Sequence, residues 1–255
     1  MLVVIKIGTS TLMYSSGRLN IRRFEELCKV ISDIKNAGND VVIVSSGAIG
    51  MGSGKLGFEK KPTEISVKQA CAAVGQCELM YIYDKEFSSH NITVAQVLLT
   101  APDLSCDDRH AKFTSTMRSL IGMGVIPIIN ENDTVATEEI EFGDNDTLSA
   151  LVAEAIKADL LVLMSDIDGL YTADPRKDAE AKLIEEVKVI DEKILALGQG
   201  TSTGLGTGGM KTKLSAGKIA TDAGCDMIII NGDNPKRLYD IMDGKKVGTR
   251  FYSKK

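Results

Sequence analysis

Six short apolar runs, rich in β-branched residues, recur along the chain at residues 2–7, 41–45, 93–98, 126–130, 160–165 and 227–231. Most are near-continuous rather than alternating, the pattern of strands buried on both faces. The fourth is the weakest strand, because Pro127 has no N–H to give to a ladder. Helical patterns lie between them. Asn20 is placed to cap a helix whose apolar face is Ile21, Phe24, Leu27, Cys28 and Ile31, ending near Gly38. Further helical patterns run over 71–87, 113–123, 147–157, 211–223 and 235–242. Strand and helix alternate, so the expected fold is α/β, a three-layer α/β/α sandwich around a mainly parallel central sheet.

Composition narrows the class without naming it. At 255 residues the chain suffices for one large domain or two small ones, with a core that needs no disulfide or metal. A 44% hydrophobic and 25% charged content excludes disordered and fibrous readings. No apolar run approaches the roughly 18 residues of a membrane span, and the N-terminus lacks the charge-then-apolar order of a secretory signal. Five scattered cysteines, without a C-x-x-C pair, read as reduced, mostly buried thiols of a cytoplasmic protein, with Cys71 and Cys77 as core filler. The net charge of −5 gives no reason to expect nucleic acid or an anionic membrane as partner. No repeat or linker divides the chain. The expectation is a single domain over 1–255, with an N-terminal lobe of about 1–160 and a C-terminal lobe of about 161–255. Residues 135–142 read as an exposed hairpin or lid, and 168–182 as a loop outside the sheet.

In open α/β sheets ligands bind beyond the carboxyl ends of strands, so the residues following each strand matter most. Four strands end in small or amide-bearing turns: Gly8-Thr9-Ser10, Ser45-Ser46-Gly47-Ala48, Asn130-Glu131-Asn132-Asp133 and Ser165-Asp166-Ile167-Asp168-Gly169. Backbone N–H groups at such turns, backed by helix N-termini, suit anions. A single such turn is often only a turn; four at one sheet edge point to a site.

The densest signal is 198–213, GQGTSTGLGTGGMKTK, with six glycines in twelve positions and then a helix carrying Lys211 and Lys213. A flexible surface loop would explain the glycines alone. Glycines, a helix start and two lysines together form a phosphate cradle. It is not a Walker P-loop: Gly-Lys pairs at 54–55, 217–218 and 244–245 are never followed by Ser or Thr. The formal G-x-G-x-x-G at 52–57 does not directly follow a strand and has no acidic strand end about twenty residues on, so it is not a dinucleotide site. Gly143-Asp144-Asn145-Asp146-Thr147 holds more polar groups than a helix cap needs, and with Asp133 it suggests carboxylates and an amide aimed into a site. Lys6, in an apolar strand two positions before Gly8, could reach a transferring phosphoryl group. His90 and His110 lack ligand spacing and read as surface residues, so no zinc site is expected.

Taken in order, Lys6-x-Gly8-Thr9-Ser10, Val44-Ser45-Ser46-Gly47-Ala48-Ile49, Ile126 to Asp133, Gly143-Asp144-Asn145-Asp146, Gly169 to Arg176 and Gly204 to Lys213 resemble the amino acid kinase family, and within it the glutamate 5-kinase branch. The resemblance runs from Lys6 to about Thr249. It implies phosphorylation of the γ-carboxylate of L-glutamate by Mg-ATP, yielding glutamyl 5-phosphate for proline synthesis. Carried over residue by residue, it gives Lys6 and Lys213 the transferred phosphoryl group, with Asp146 supporting them. Ser46, Gly47, Asp133 and Asn145 would bind glutamate. Lys6, Ser165, Asp166, Thr207, Gly208, Gly209, Met210, Lys211, Thr212 and Lys213 would hold ATP. The lobes become a substrate lobe and a nucleotide lobe, and family habit implies a homo-oligomer and feedback inhibition by proline.

The chain departs from the family in carrying Ser165 where Thr is common, and in ending at Lys255 without the C-terminal PUA domain of many relatives. Sister kinases acting on acetylglutamate, aspartate, carbamate or a nucleoside monophosphate typically place Gly-Gly after the first-strand lysine; Gly8-Thr9 stands here. A non-catalytic nucleotide sensor would not need both lysines and Asp144-Asn145-Asp146. The chemistry is self-consistent, since a glutamate side chain with a pKa of about 4.3 is already an anionic nucleophile and needs no general base. Repulsion between two anions is then the barrier that positioning and cations must lower.

Overall fold

The computed structural model describes residues 1–14, 16–60, 62–135, 145–198 and 209–254. Along the chain come β1 (Leu2–Ile7), α1 (Thr9–Leu12), α2 (Ile21–Asn36), β2 (Asp40–Ser45), α3 (Ala48–Lys55), α4 (Ile65–Ser88), β3 (Val94–Leu99), α5 (Ala101–Ser105) and α6 (Asp107–Gly122). Then follow β4 (Ile126–Glu131), α7 (Asn145–Ile156), β5 (Leu160–Ser165), β6 (Glu186–Val187), α8 (Glu192–Ala196), α9 (Met210–Asp222), β7 (Asp226–Asn231), α10 (Arg237–Met242) and β8 (Thr249–Phe251). The strands make one sheet in the order β3-β4-β2-β1-β5-β7-β8-β6. From β3 to β7 every pairing is parallel; β8 runs antiparallel to β7, and β6 is parallel to β8. This is the expected α/β sandwich.

The continuous apolar runs explain the layering. All six residues of β5 are buried, and alternation sends successive side chains to opposite faces. Val3, Ile5 and Ile7 pack with Phe24, Leu27 and Ile31 of α2 and with Tyr83 and Phe87 of α4. Val4, Val42 and Leu163 pack on the other face with Phe113 and Met117 of α6, Val152 of α7 and Leu214 of α9. Lys6 therefore points to the face that α7 and α9 cover. Asn20 does cap α2, its side chain accepting from the Arg23 N–H at 3.2 Å.

Some expectations need correction. Ile21, assigned to the buried face of α2, is 60% exposed, whereas Phe24, Leu27, Cys28 and Ile31 of that face are buried. Cys77 is exposed rather than core filler, while Cys71 is buried one and a half turns earlier on α4. Pro127 sits in an interior strand after all. The Ile126 N–H bonds to Thr93 O on the β3 side, so by alternation position 127 faces β2, and pairing with β2 begins only at Ile128. The missing N–H thus falls where no ladder is required. His90 is exposed and His110 half-buried. The expected lid at 135–142 lies, beyond Val135, outside the described residues. Residues 168–182 run outside the sheet, touching strand geometry only in the Tyr171–Leu183 bridge. Among the described residues no helix is long and apolar enough to cross a membrane.

Candidate active site

Parallel pairing brings the strand ends together: Ile7 of β1 is in register with Ser45 of β2 and with Met164 of β5. Two short turns then open helices at that edge, Gly8 before α1 and Gly47 before α3, while Gly209 precedes α9. Gly47 has φ +109°, a left-handed conformation that an L side chain would strain, which explains glycine at that turn.

Asp146, in the first turn of α7, is completely buried. Lys6 Nζ lies 2.6 Å from its Oδ1 and Lys213 Nζ 2.8 Å from its Oδ2. The lysines are themselves only 7% and 5% exposed. Burial works to raise the Asp146 carboxyl pKa, but the two ammonium groups outweigh it and hold the carboxyl well below the usual carboxylate range. Two buried cations thus share one carboxylate, leaving a net positive charge at the sheet edge of an acidic protein. Thr212 Oγ1 lies 2.7 Å from the Gly209 carbonyl and 3.3 Å from Asp146 Oδ2, which ties the start of α9 to the same group.

Lys213 also lines an open cleft together with Ser165, Asp166, Tyr171, Arg176 and Met210. Ser165 Oγ is 3.2 Å from Asp166 Oδ1, and Arg176 donates to Asp166 Oδ2 at 3.2 Å. On the other side, Asn145 Nδ2 reaches Ser45 O at 3.0 Å, Ser46 Oγ at 2.8 Å and Asn130 Oδ1 at 3.0 Å. Adjacent residues of α7 therefore face two ways, Asn145 to the ends of β2 and β4 and Asp146 to the lysines. Beyond Asn130 lies a smaller cleft of about 180 Å³, lined by Gln76, Asn132, Asp133 and Thr134 among others. Burial pushes the Asp133 carboxyl up to about 6.

Of the residues singled out from sequence, Lys6, Lys213, Asp146 and Thr212 come together, as do Asn145 and Ser46. Ser165, Asp166, Gly209, Met210 and Lys213 line the larger cleft. Asp133 stands in the smaller cleft, and Gly47 opens α3. Lys211 is exposed, two residues from the buried Lys213. Thr207 and Gly208 lie outside the described residues.

The family model described as the amino acid kinase family matches residues 1–231. The chain belongs to the amino acid kinase family. It is 51% identical to the glutamate 5-kinase of Clostridium perfringens over 257 residues, covering 99% of this chain and 96% of that one. It is 52% identical to the glutamate 5-kinase of Carboxydothermus hydrogenoformans, covering 99% of this chain and 68% of that longer relative. Among solved structures, the carbamate kinase of Giardia lamblia bound to AMP-PNP superposes with a TM-score of 0.69 at 17% identity, covering 99% of this chain and 98% of that one.

Sequence reasoning passed over three residues at this amino acid kinase site. Gln76 and Tyr83 of α4 are buried polar groups: Gln76 accepts from Asn130 Nδ2 at 2.9 Å, and Tyr83 Oη is 3.0 Å from Ser45 Oγ. The available signal was helical spacing, since Ala72, Gln76, Leu79 and Tyr83 share one face and a polar group on an apolar face needs a partner. Arg176 lay inside the resembling segment 169–176 without being assigned a role.

Proposed function

We propose that this chain phosphorylates the γ-carboxylate of L-glutamate with Mg-ATP, forming L-glutamyl 5-phosphate in the first step of proline biosynthesis. The observation that carries the reading is the buried Lys6–Asp146–Lys213 cluster, two ammonium groups on one carboxylate, with Lys213 also lining the larger cleft. A phosphoryl group in transfer carries the negative charge this cluster lacks, and preorganised cations lower the repulsion between two anionic reactants. The name shared by relatives at about half identity supplies the acceptor.

In this reading Lys6 and Lys213 contact the transferred phosphoryl group, and Asp146 fixes their ammonium groups. Ser165, Asp166, Met210 and the 207–213 segment, with Lys211 at its rim, hold the nucleotide. Ser46, Gly47, Asp133 and Asn145 hold glutamate, Asp133 being the anion for its ammonium group. The 1–255 domain then divides into a substrate lobe over about 1–160 and a nucleotide lobe over about 161–255. Mg²⁺ would come in on the ATP phosphates, where it offsets their charge. A cytoplasmic location, a homo-oligomeric assembly and feedback inhibition by proline belong to the same proposal and rest on the family resemblance.

The deciding experiment is an acceptor panel with Mg-ATP, trapping any acyl phosphate as its hydroxamate. L-glutamate is expected to be preferred over acetylglutamate, aspartate, carbamate and UMP. Turnover of another acceptor without turnover of glutamate overturns the assignment.

A further inference from the structure

The small cleft beside Asp133 holds a donor that the protein leaves unused. Gln76 is 8% exposed, and its Nε2 is buried with no hydrogen-bond partner among the described residues. The orientation of its amide follows from a chain of forced choices. The Glu131 backbone N–H can only donate, and it donates to Asn130 Oδ1 at 2.9 Å. Asn130 must therefore present Nδ2 to Gln76, which accepts through Oε1 at 2.9 Å. The Asn145 amide fixes the same choice independently. Its Nδ2 donates to the Ser45 carbonyl, which can only accept, so its bond to Asn130 Oδ1 again makes that atom the acceptor. Gln76 Nε2 is thus the outer terminus of a relay whose inner end is Asn145, the neighbour of Asp146. Buried donors without a partner are rare, and one lining a cleft is explained by a ligand that accepts from it.

We infer that Gln76 is a specificity-determining residue that donates its Nε2–H to the α-carboxylate of the amino-acid acceptor, while Asp133 in the same cleft takes the ammonium group. The inference rests on the proposed glutamate kinase activity and adds the group that recognises a free α-carboxylate. A zwitterion needs one anion and one donor side by side, and Asp133 and Gln76 are such a pair. Glu131, also in the cleft wall, adds negative charge that favours the ammonium end.

Gln76→Glu tests this. It keeps an oxygen to accept from Asn130 Nδ2, removes the donor, and sets a carboxylate against the substrate's. L-isoglutamine, whose α-carboxylate is an amide and whose γ-carboxylate is free, serves as the second acceptor. The expected result is a rise of at least about tenfold in KM for L-glutamate, the scale of losing one hydrogen bond to a charged group. The KM for ATP is expected to stay within about twofold, and kcat/KM for isoglutamine relative to glutamate to rise at least about tenfold, since a carboxylate at 76 can accept from an amide but repels an anion. Circular dichroism and the unfolding midpoint establish that the variant is folded. If both acceptors lose activity in the same proportion, or if kcat falls with KM unchanged, Gln76 acts only through Asn130 and the inference is overturned. If the wild-type enzyme turns over no glutamate, the proposed function fails instead, an outcome distinct from either.

Discussion

Asp146 and its two lysines are not interchangeable, because their charges do not balance. Removing Lys213 leaves a one-to-one Lys6–Asp146 pair, whereas removing Asp146 would leave two buried ammonium groups facing each other. Lys213→Ala is therefore expected to fold, and to lose transition-state charge stabilisation: kcat falls on the order of 10²–10³-fold, the range for one preorganised electrostatic contact. Steady-state kinetics check it, and a change confined to the KM for glutamate would contradict the role. Asp133 gives a pH signature. With its carboxyl pushed up to about 6, it takes a proton as pH falls through 6 and can no longer hold an ammonium group. KM for glutamate is expected to rise below about pH 6 while KM for ATP stays flat, and Asp133→Asn should raise the neutral-pH KM and abolish that rise. The sign for stability is opposite. The folded pKa lies above the unfolded value of about 4, so the buried charge costs stability at pH 7. Asp133→Asn should thus raise Tm at pH 7, with the gain shrinking as pH falls from 6 toward 4. A flat profile in the wild-type enzyme would remove Asp133 from the ammonium site. At this scale the sequence was informative where function is packed into short segments, as with Gly209-Met210-Lys211-Thr212-Lys213 and Asn145-Asp146. It was silent on Gln76 and Tyr83, whose partners Asn130 and Ser45 are brought to them only when α4 packs on the sheet.

Helices α3 and α4 cross so closely that two glycines become structural. A Cβ on Gly52 would collide with the Cys71 carbonyl, and one on Gly75 with the Ala48 carbonyl. This gives Gly52, the first glycine of the 52–57 pattern, its reason: it lets two backbones meet. In an open helix, Gly→Ala stabilises by up to roughly 1 kcal/mol. At Gly75 the sign should reverse, because backbone rather than a mobile side chain is in the way, and overpacking costs about 1–3 kcal/mol or more. Gly54→Ala, in the same α3 helix but with its nearest neighbour the Gly17 carbonyl at 3.7 Å, should be neutral or stabilising. Urea unfolding of the two variants checks the contrast, and equal midpoints would mean the crossing has slack. Element by element, legibility tracked length and burial. The six-residue buried strands could be read from their apolar runs, whereas β6 and β8, of two and three residues, carry too few side chains to show a period. Helices α1, α5 and α8, of four or five residues, escape for the same reason. Helix α3 escapes because three glycines hide a helical pattern.

Across the whole molecule the sheet order splits the chain into two contiguous halves, β3-β4-β2-β1 and β5-β7-β8-β6, that meet where β1 pairs with β5. The seam runs between two strands buried along all but one of their residues, and both hydrophobic clusters cross it. Val3 and Val162 share one cluster, and Val4 and Leu161 share the other. Asp146 to Lys213 is a second tie across it, between α7 of one half and α9 of the other. The proposed substrate and nucleotide lobes are therefore not independent folding units. Cutting at the seam would expose β1 and β5 as long, flat, apolar edges, the kind that aggregate rather than persist alone. Scanning calorimetry of the intact chain is expected to give one cooperative transition with calorimetric and van't Hoff enthalpies in agreement. A non-hydrolysable ATP analogue at about 100 times its Kd should move that whole transition, adding roughly 2.7 kcal/mol, because the nucleotide cavity cannot be stabilised apart from the strands behind it. Two resolved transitions, with only one shifted by the analogue, would show instead that the β1–β5 seam separates two folding units.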